Sequence, residues 1–222
     1  MRGAEQFLGE ALELATKAAS TQVGAVRVAA RLVADALADG KQFWVFGTGH
    51  SHLIAEELYG RAGGLADVRA VLEPAVMLHE GLLKSSLLER LGGLAEVLLE
   101  IHDVGPGDVV LIASNSGRNA VPVEFAVGAR QAGAKVIALT SLKHSTAVSS
   151  RAPGGQRLFE VADVVIDNCG VPGDALIEVA GSRTGSTSTL VGALLAQALV
   201  VEVVTLLADR GQAPNVLRSL NA

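Results

Sequence analysis

Uninterrupted apolar runs alternate along this chain with stretches in which apolar residues recur every three to four positions. An uninterrupted run suits a strand that is covered on both faces of a parallel sheet, and the clearest one lies at 109–113. Further strands are predicted at 43–46, 67–72, 134–140 and 164–167. The helical period appears at 4–20, 22–39, 51–62, 87–101, after Asn119, and at 187–208. The alternation predicts an α/β fold, a three-layer αβα sandwich around a five-stranded parallel, flavodoxin-like sheet.

The chain has 222 residues and no linker-like segment between these elements. It therefore predicts one domain over 1–222. Within it we expect an N-terminal helical pair over 1–40, the αβα core over 41–210 and a C-terminal tail over 211–222.

Composition narrows the classes of function. Half of the residues are hydrophobic, which suffices for a large core, and the net charge of −5 argues against a nucleic-acid surface. The single cysteine, Cys169, excludes an internal disulfide and a cysteine-based zinc site. No apolar segment of a signal peptide follows residues 1–6, so we expect a cytoplasmic protein.

The segment 188–208 is the one stretch to consider as a membrane span. Gln197, Glu202 and Thr205 interrupt its apolar sequence. Polar groups at these positions favour a buried core or interface helix over a transmembrane helix, and no membrane partner is predicted.

The loop that follows the central strand carries the most informative pattern. Its sequence is Ser114-Asn115-Ser116-Gly117-Arg118-Asn119, and a helix follows with Asn119 as its N-cap and Pro122 in its first turn. Free backbone N–H groups and the positive end of the helix dipole favour a bound phosphate there. An ordinary turn rich in turn formers is the alternative, but the absence of a carboxylate favours an anion.

A second loop, Gly47-Thr48-Gly49-His50-Ser51, follows the first strand. It resembles the start of a dinucleotide fingerprint, with Glu73 at a distance suited to a ribose, but the third glycine is missing. Nucleotide binding would also leave the loop at Ser114 unexplained. Both loops follow the carboxyl ends of strands, where such sheets bind ligands.

Several side chains near the first loop are candidates for chemistry. Glu56 and Glu57 are either a solvated pair or place a carboxylate where it can remove a proton next to a carbonyl. His50 and His52 do not share a helix face, so no metal pair is predicted there, and we expect neither metal nor cofactor. His79 is a polar residue within apolar sequence and is a candidate acid.

Hydroxyl groups are concentrated at 182–189, SRTGSTST, just before the last predicted helix. They can cap that helix or contact a sugar. The sequence leaves both interpretations open.

The two loops and the hydroxyl-rich start of the last helix resemble those of the SIS (sugar isomerase) domain family. SNSGRN is similar to the family's STSGNS-type phosphosugar loop, so Ser114, Ser116 and Asn119 take the places of its three serines. Ser51 matches an additional phosphate-contacting serine. The resemblance implies a sugar 6-phosphate as ligand, held also by neighbouring groups of Gly49, Asn115, Gly117 and Arg118.

Residues 55–61, AEELYGR, are similar to the AEELTGR segment of phosphoheptose isomerases, whose second glutamate is catalytic. The resemblance therefore implies Glu57 as the base that abstracts the C2 proton, with His79 or His50 as the acid. It also implies association through the first helices into a homodimer or homotetramer. The subgroup with GTGHSH and SNSGRN loops is the closest fit.

One departure from phosphoheptose isomerases affects the reaction. They place a catalytic histidine on the last long helix, and 187–208 contains none. We therefore favour an N-acetylamino-sugar 6-phosphate lyase or dehydratase, which shares the C2 abstraction but eliminates at C3. An aldose–ketose isomerase and a non-catalytic sugar-phosphate-binding regulator are the alternatives.

Overall fold

In the computed structural model, which describes residues 3–219 and 221, five parallel strands form the central sheet. Their order is β2-β1-β3-β4-β5. The strands are β1 (Phe43–Gly47), β2 (Val68–Val71), β3 (Val109–Ala113), β4 (Lys135–Thr140) and β5 (Val164–Asp167). The central strand β3 is buried along its whole length, as its uninterrupted apolar run predicts. The predicted five-stranded parallel sheet is confirmed.

Helices cover both faces of this sheet. They are α1 (Gly3–Ala38), α2 (His52–Leu58), α3 (Leu82–Leu88), α4 (Leu94–His102), α5 (Ala120–Gln131), α6 (Leu142–Thr146), α7 (Leu158–Val161) and α8 (Ser188–Asp209). One apolar core lies between the sheet and α1, α2 and α8, and the other lies between the sheet and α4, α5 and α7. Alternate residues of each strand point into the two cores, which confirms the three-layer architecture.

The predicted N-terminal pair of helices, 4–20 and 22–39, is wrong, because α1 is one continuous helix of 36 residues. Ser20 and Thr21, at the expected break, donate their hydroxyl groups to the carbonyl oxygen of Lys17 at 3.0 and 2.8 Å. Such bonds to the preceding turn keep hydroxyl residues inside a helix.

The prediction of one helix over 87–101 is also wrong. Gly92 and Gly93 separate α3 from α4, and Gly93 has a φ of +90°, which a helix interior does not allow. The N–H of Gly93 donates to Glu124 Oε2 at 2.9 Å, so a carboxylate of α5 stabilises the break between α3 and α4. A short antiparallel hairpin, β6 (Ile177–Val179) and β7 (Ser182–Thr184), was not predicted.

Helix α8 is long and apolar enough to cross a membrane by length and composition. However, Val191, Leu195, Leu199 and Val203 are buried in the core on one side of the helix. Their spacing of four residues defines a single face that packs against the rest of the domain, so α8 is a helix of the core.

Asp108 organises the edge of the sheet opposite the two loops. It is 6% exposed, and it accepts hydrogen bonds from Gln42 N, Trp44 Nε1 and Gly105 N at 2.9, 3.0 and 3.1 Å. We expect Asp108→Ala to lower the free energy of unfolding by about 3 kcal/mol, because three donors lose their acceptor. Urea denaturation tests this. Asp108→Asn keeps one acceptor oxygen and should lose less, and equal stability of both variants and wild type would contradict the prediction.

Candidate functional site

The two predicted loops meet in a cleft at the carboxyl ends of β1, β3 and β4. Ser51 from the first loop and Ser114 and Asn115 from the second all line it. The other lining residues are Ile54, Ala113, Leu139, Asn168, Ser188 and Thr189. The structure thus brings together three predicted phosphate-binding residues and the hydroxyl groups at the start of α8.

The loop after β3 is tightly folded. Ser114 N donates to Leu139 O at 3.0 Å, and Ser114 Oγ accepts from Gly117 N at 3.2 Å. Gly117 has a φ of +56°, and a Cβ atom there would lie 3.0 Å from Ser145 Oγ, so the turn requires glycine. Since the Ser114 hydroxyl accepts in this turn, its proton is available to a ligand.

Asn115 is held in place from two neighbouring strands. Its Oδ1 accepts from Asn168 Nδ2 at 3.0 Å, and its carbonyl accepts from Ser141 N at 3.1 Å. Asn168 Oδ1 in turn accepts from Gly170 N at 2.8 Å. Sequence reasoning missed Asn168. This residue directly follows β5, and a polar residue directly after a strand is the signal that indicated the other two loops.

Asn119 occupies the N-cap position of α5, as predicted, but its side chain does not cap the helix. Its Oδ1 accepts from Arg151 Nη1 at 3.2 Å instead. Desolvation and the positive charges of Arg118 and Arg90 lower the pKa of Arg151, while Glu89 opposes them. Arg151 N also donates to the carbonyl oxygen of Arg118 at 2.7 Å, so these two cationic residues are neighbours at the loop.

The hydroxyl groups of 182–189 do not cap α8. The carboxylate of Asp174 does so: its Oδ1 accepts from Thr187 N at 3.1 Å and Ser188 N at 2.9 Å, and Ser188 Oγ donates to its Oδ2. Of the two interpretations that the sequence left open, capping by these hydroxyl groups is therefore not seen, whereas Ser188 and Thr189 do lie at the cleft. Asp174 was missed because it lies 14 residues before the helix that it caps.

Glu57 lies on the side of α2 that faces α8, outside the residues that line the cleft. Its Oε1 accepts from Gln197 Nε2 at 3.0 Å, and its Oε2 accepts from Arg61 Nη1 at 2.6 Å. His50 is exposed, and His79 lies beside His52 with ring centroids 5.4 Å apart. Among the described residues, no hydrogen bond joins either candidate acid to Glu57.

Five buried polar side-chain atoms lack a hydrogen-bond partner within the described residues. They are His52 Nε2, Arg118 Nε, His144 Nδ1, Ser145 Oγ and Thr187 Oγ1. All belong to segments that follow β1, β3 and β4 or precede α8, so they surround one edge of the sheet. Burial lowers the pKa of His144, with Asp174 raising it and Arg118 lowering it. Unsatisfied buried groups are rare in folded proteins, and each calls for an explanation such as a bound water, an ion or a catalytic role.

The chain is similar to known proteins in sequence and in fold. Residues 6–141 match the sequence model of the SIS domain. A UPF0309 protein of Halalkalibacterium halodurans is 52% identical over 203 residues, which cover 90% of this chain and 84% of that protein.

Two solved structures share the fold at low identity. A phosphoheptose isomerase from Neisseria gonorrhoeae is 19% identical with a TM-score of 0.59, and the match covers 91% of this chain and 97% of the isomerase. The NanR protein of Vibrio vulnificus, complexed with ManNAc-6P, is 17% identical with a TM-score of 0.56, and the match covers 94% and 64% of the two chains. These likenesses confirm the predicted fold.

Proposed function

Because the chain belongs to the SIS domain family, we propose that it binds a sugar phosphate in the cleft at the carboxyl ends of the strands and acts on it as an enzyme. The observation that supports this proposal best is the meeting of Ser51, Ser114 and Ser188 in that cleft. Arg118 of the loop and Arg151, which contacts it, add positive charge suited to a phosphate. The dipole of the 12-residue helix α5 acts in the same direction.

The phosphate contacts follow from the loops. Hydroxyl groups of Ser51 and Ser114 line the cleft and donate to phosphate oxygens. Arg118 supplies charge next to them. The remaining contacts come from Gly49, Asn115, Ser116, Gly117 and Asn119, whose backbone N–H groups or side chains complete the phosphate site.

The chemical step begins with Glu57. In the proposed reaction this carboxylate removes the C2 proton of the open-chain sugar, next to the C1 carbonyl. Arg61 and Gln197 orient its two oxygens. His79 or His50 then donates a proton. In the elimination the proton goes to the leaving C3 oxygen, and in the isomerisation it goes to the C1 oxygen.

We favour elimination at C3 of an N-acetylamino-sugar 6-phosphate over isomerisation. The α8 residue that contacts Glu57 is Gln197, and an amide does not act as a general acid or base at neutral pH. An aldose–ketose isomerisation remains the second candidate because it needs the same first step. We further propose that the enzyme is cytoplasmic and forms a homodimer or homotetramer, with the exposed apolar Leu8 and Leu12 of α1 in the interface.

A non-catalytic sugar-phosphate regulator is the alternative of another class. It is favoured by the position of Glu57, which is paired with Arg61 and lies outside the cleft lining. Such a protein binds its ligand without exchanging a proton.

Proton NMR in D2O separates these functions. The protein is incubated in parallel with N-acetylglucosamine 6-phosphate, fructose 6-phosphate and sedoheptulose 7-phosphate. Loss of the C3 oxygen with a new vinylic signal supports the lyase, and deuterium at C1 or C2 with a new aldose or ketose supports the isomerase. Saturable binding without exchange leaves only the regulator, and absence of binding contradicts the whole proposal.

Ser114→Ala tests the phosphate site separately from the chemistry. We expect it to weaken binding of the sugar phosphate about 10- to 100-fold, as for a lost hydrogen bond to a charged group. Isothermal titration calorimetry with the sugar phosphate measures this. Ser20→Ala is the matched control, since the Ser20 hydroxyl bonds only within α1. Equal affinities of the two variants would contradict the assignment.

A further inference from the structure

Three side chains that can bind metal ions lie together beside the cleft. His52 and Glu56 are one turn apart on α2, and His79 belongs to the segment between β2 and α3. One ligand atom from each, an imidazole nitrogen or a carboxylate oxygen, lies within 4.8 Å of the other two. This trio is called the His52 cluster below.

The burial and hydrogen bonding of the His52 side chain suit a metal ligand. The residue is 2% exposed, and its Nδ1 forms a hydrogen bond with the carbonyl oxygen of Gly49. A carbonyl oxygen only accepts, so Nδ1 carries a proton, and Nε2 is the nitrogen through which the neutral ring can bind a metal ion. An imidazole that donates its other N–H to a backbone carbonyl is the usual arrangement of a metal-binding histidine.

The Nε2 atom of His52 is buried and has no hydrogen-bond partner. Glu56 Oε1 lies 3.5 Å from it, which is too long for a good hydrogen bond but close to the separation of two ligands on one metal ion. With metal–ligand bonds of about 2.1 Å, neighbouring tetrahedral ligands lie about 3.4 Å apart. His79 and Glu56 are exposed, so rotation of their side chains can close the remaining gap.

We propose that His52, Glu56 and His79 bind a divalent transition-metal ion, with Zn²⁺ as the best fit. Two imidazoles and one carboxylate are a typical zinc ligand set that leaves a fourth position open, whereas Mg²⁺ and Ca²⁺ prefer oxygen ligands. This proposal departs from the sequence-based expectation of no metal, which was argued from His50 and His52 alone. The fold instead joins His52 to a residue four positions on and to a distant loop.

The ion would have a defined structural consequence. It would join the segment that contains His79 to α2, next to Ser51 of the cleft. It would also hold His79 as a ligand, which leaves His50 as the candidate acid. The proposal goes beyond the proposed function, because binding of the ion requires no sugar phosphate.

Zn²⁺ binding to the purified full chain, stripped with chelator, tests the proposal. Competition with a chromophoric chelator gives stoichiometry and affinity, and the visible absorption of bound Co²⁺ reports the ligand set. We expect one Zn²⁺ per chain and no comparable binding of Mg²⁺. Glu56→Gln and His79→Ala change exposed side chains, so they should fold normally. Each removes a direct ligand and should weaken Zn²⁺ binding by at least the roughly 10- to 100-fold that loss of an outer-shell partner costs.

His50→Ala is the matched control, because it removes an exposed imidazole two residues from His52. We expect its affinity for Zn²⁺ to equal that of wild type. An equal loss in all three variants would indicate nonspecific imidazole binding and overturn the proposal, as would absence of stoichiometric Zn²⁺ in wild type. Since no step of this assay involves turnover, a failure of the phosphosugar reaction leaves its outcome unaffected.

Discussion

Glu57→Gln is expected to reduce the rate of C2 proton exchange about 10²- to 10⁴-fold while the sugar phosphate still binds. The amide has the shape of the carboxylate but cannot accept the proton, and general-base catalysis contributes an effect of this size. Gln197 and Arg61 hold the carboxylate oxygens at 3.0 and 2.6 Å. The substitution therefore removes the proposed base with little change in volume.

The measurement is deuterium incorporation from D2O into whichever of the three sugar phosphates the wild type turns over. Binding is followed in parallel by calorimetry, so that loss of chemistry is separated from loss of affinity. Glu100→Gln is a suitable control, because Glu100 is exposed on α4, on the opposite face of the sheet. Exchange at the wild-type rate in Glu57→Gln would contradict the assignment of the base.

Gln197 on α8 holds the proposed base, Glu57, through a side-chain hydrogen bond. It is a positioning residue, because it contacts Glu57 rather than the cleft. Its place on the buried side of α8 explains why an amide interrupts so apolar a helix. The sequence indicated this interruption only as evidence against a membrane span, since which residue it contacts depends on how α2 packs against α8.

The sheet was predictable because its signals are local. Apolar runs mark each strand, and the loops at Gly47 and Ser114 directly follow two of them. The carboxyl ends of parallel strands share one edge, so both loops were expected at that edge, and the adjacency of β1 and β3 in the structure brings Ser51 and Ser114 together. These elements needed no knowledge of distant contacts.

What the sequence did not reveal depends on contacts between distant segments. Asp174 caps α8 from 14 residues away, and Asn168 reaches Asn115 across two strands. His79 approaches His52 through an irregular segment whose course no periodicity indicates. The predicted break in α1 was wrong for a local reason. The hydroxyl groups of Ser20 and Thr21 form their hydrogen bonds within the helix, so these residues do not interrupt it.

Gly47→Ala is expected to lower the free energy of unfolding by about 3 kcal/mol, the upper end of the range for overpacking. Gly47 ends β1, and a Cβ atom there would lie 2.4 Å from the carbonyl oxygen of Ser51 and 2.9 Å from the N of His52. Both are backbone atoms, so no side-chain rotation relieves the contact. The start of α2 must move away from the sheet.

Gly24→Ala provides the matched control, because it makes the same chemical change inside α1, where a Cβ atom meets nothing within 4 Å. That variant should gain about 0.5–1 kcal/mol from the helix propensity of alanine. Urea denaturation of both variants gives the comparison, and a Gly47→Ala protein as stable as wild type would contradict it. Because the displaced atoms belong to Ser51 and His52, the same substitution should also weaken sugar-phosphate and Zn²⁺ binding. Both the stability of the fold and the assembly of the site therefore depend on the absence of a side chain at Gly47, where β1 and α2 approach closely.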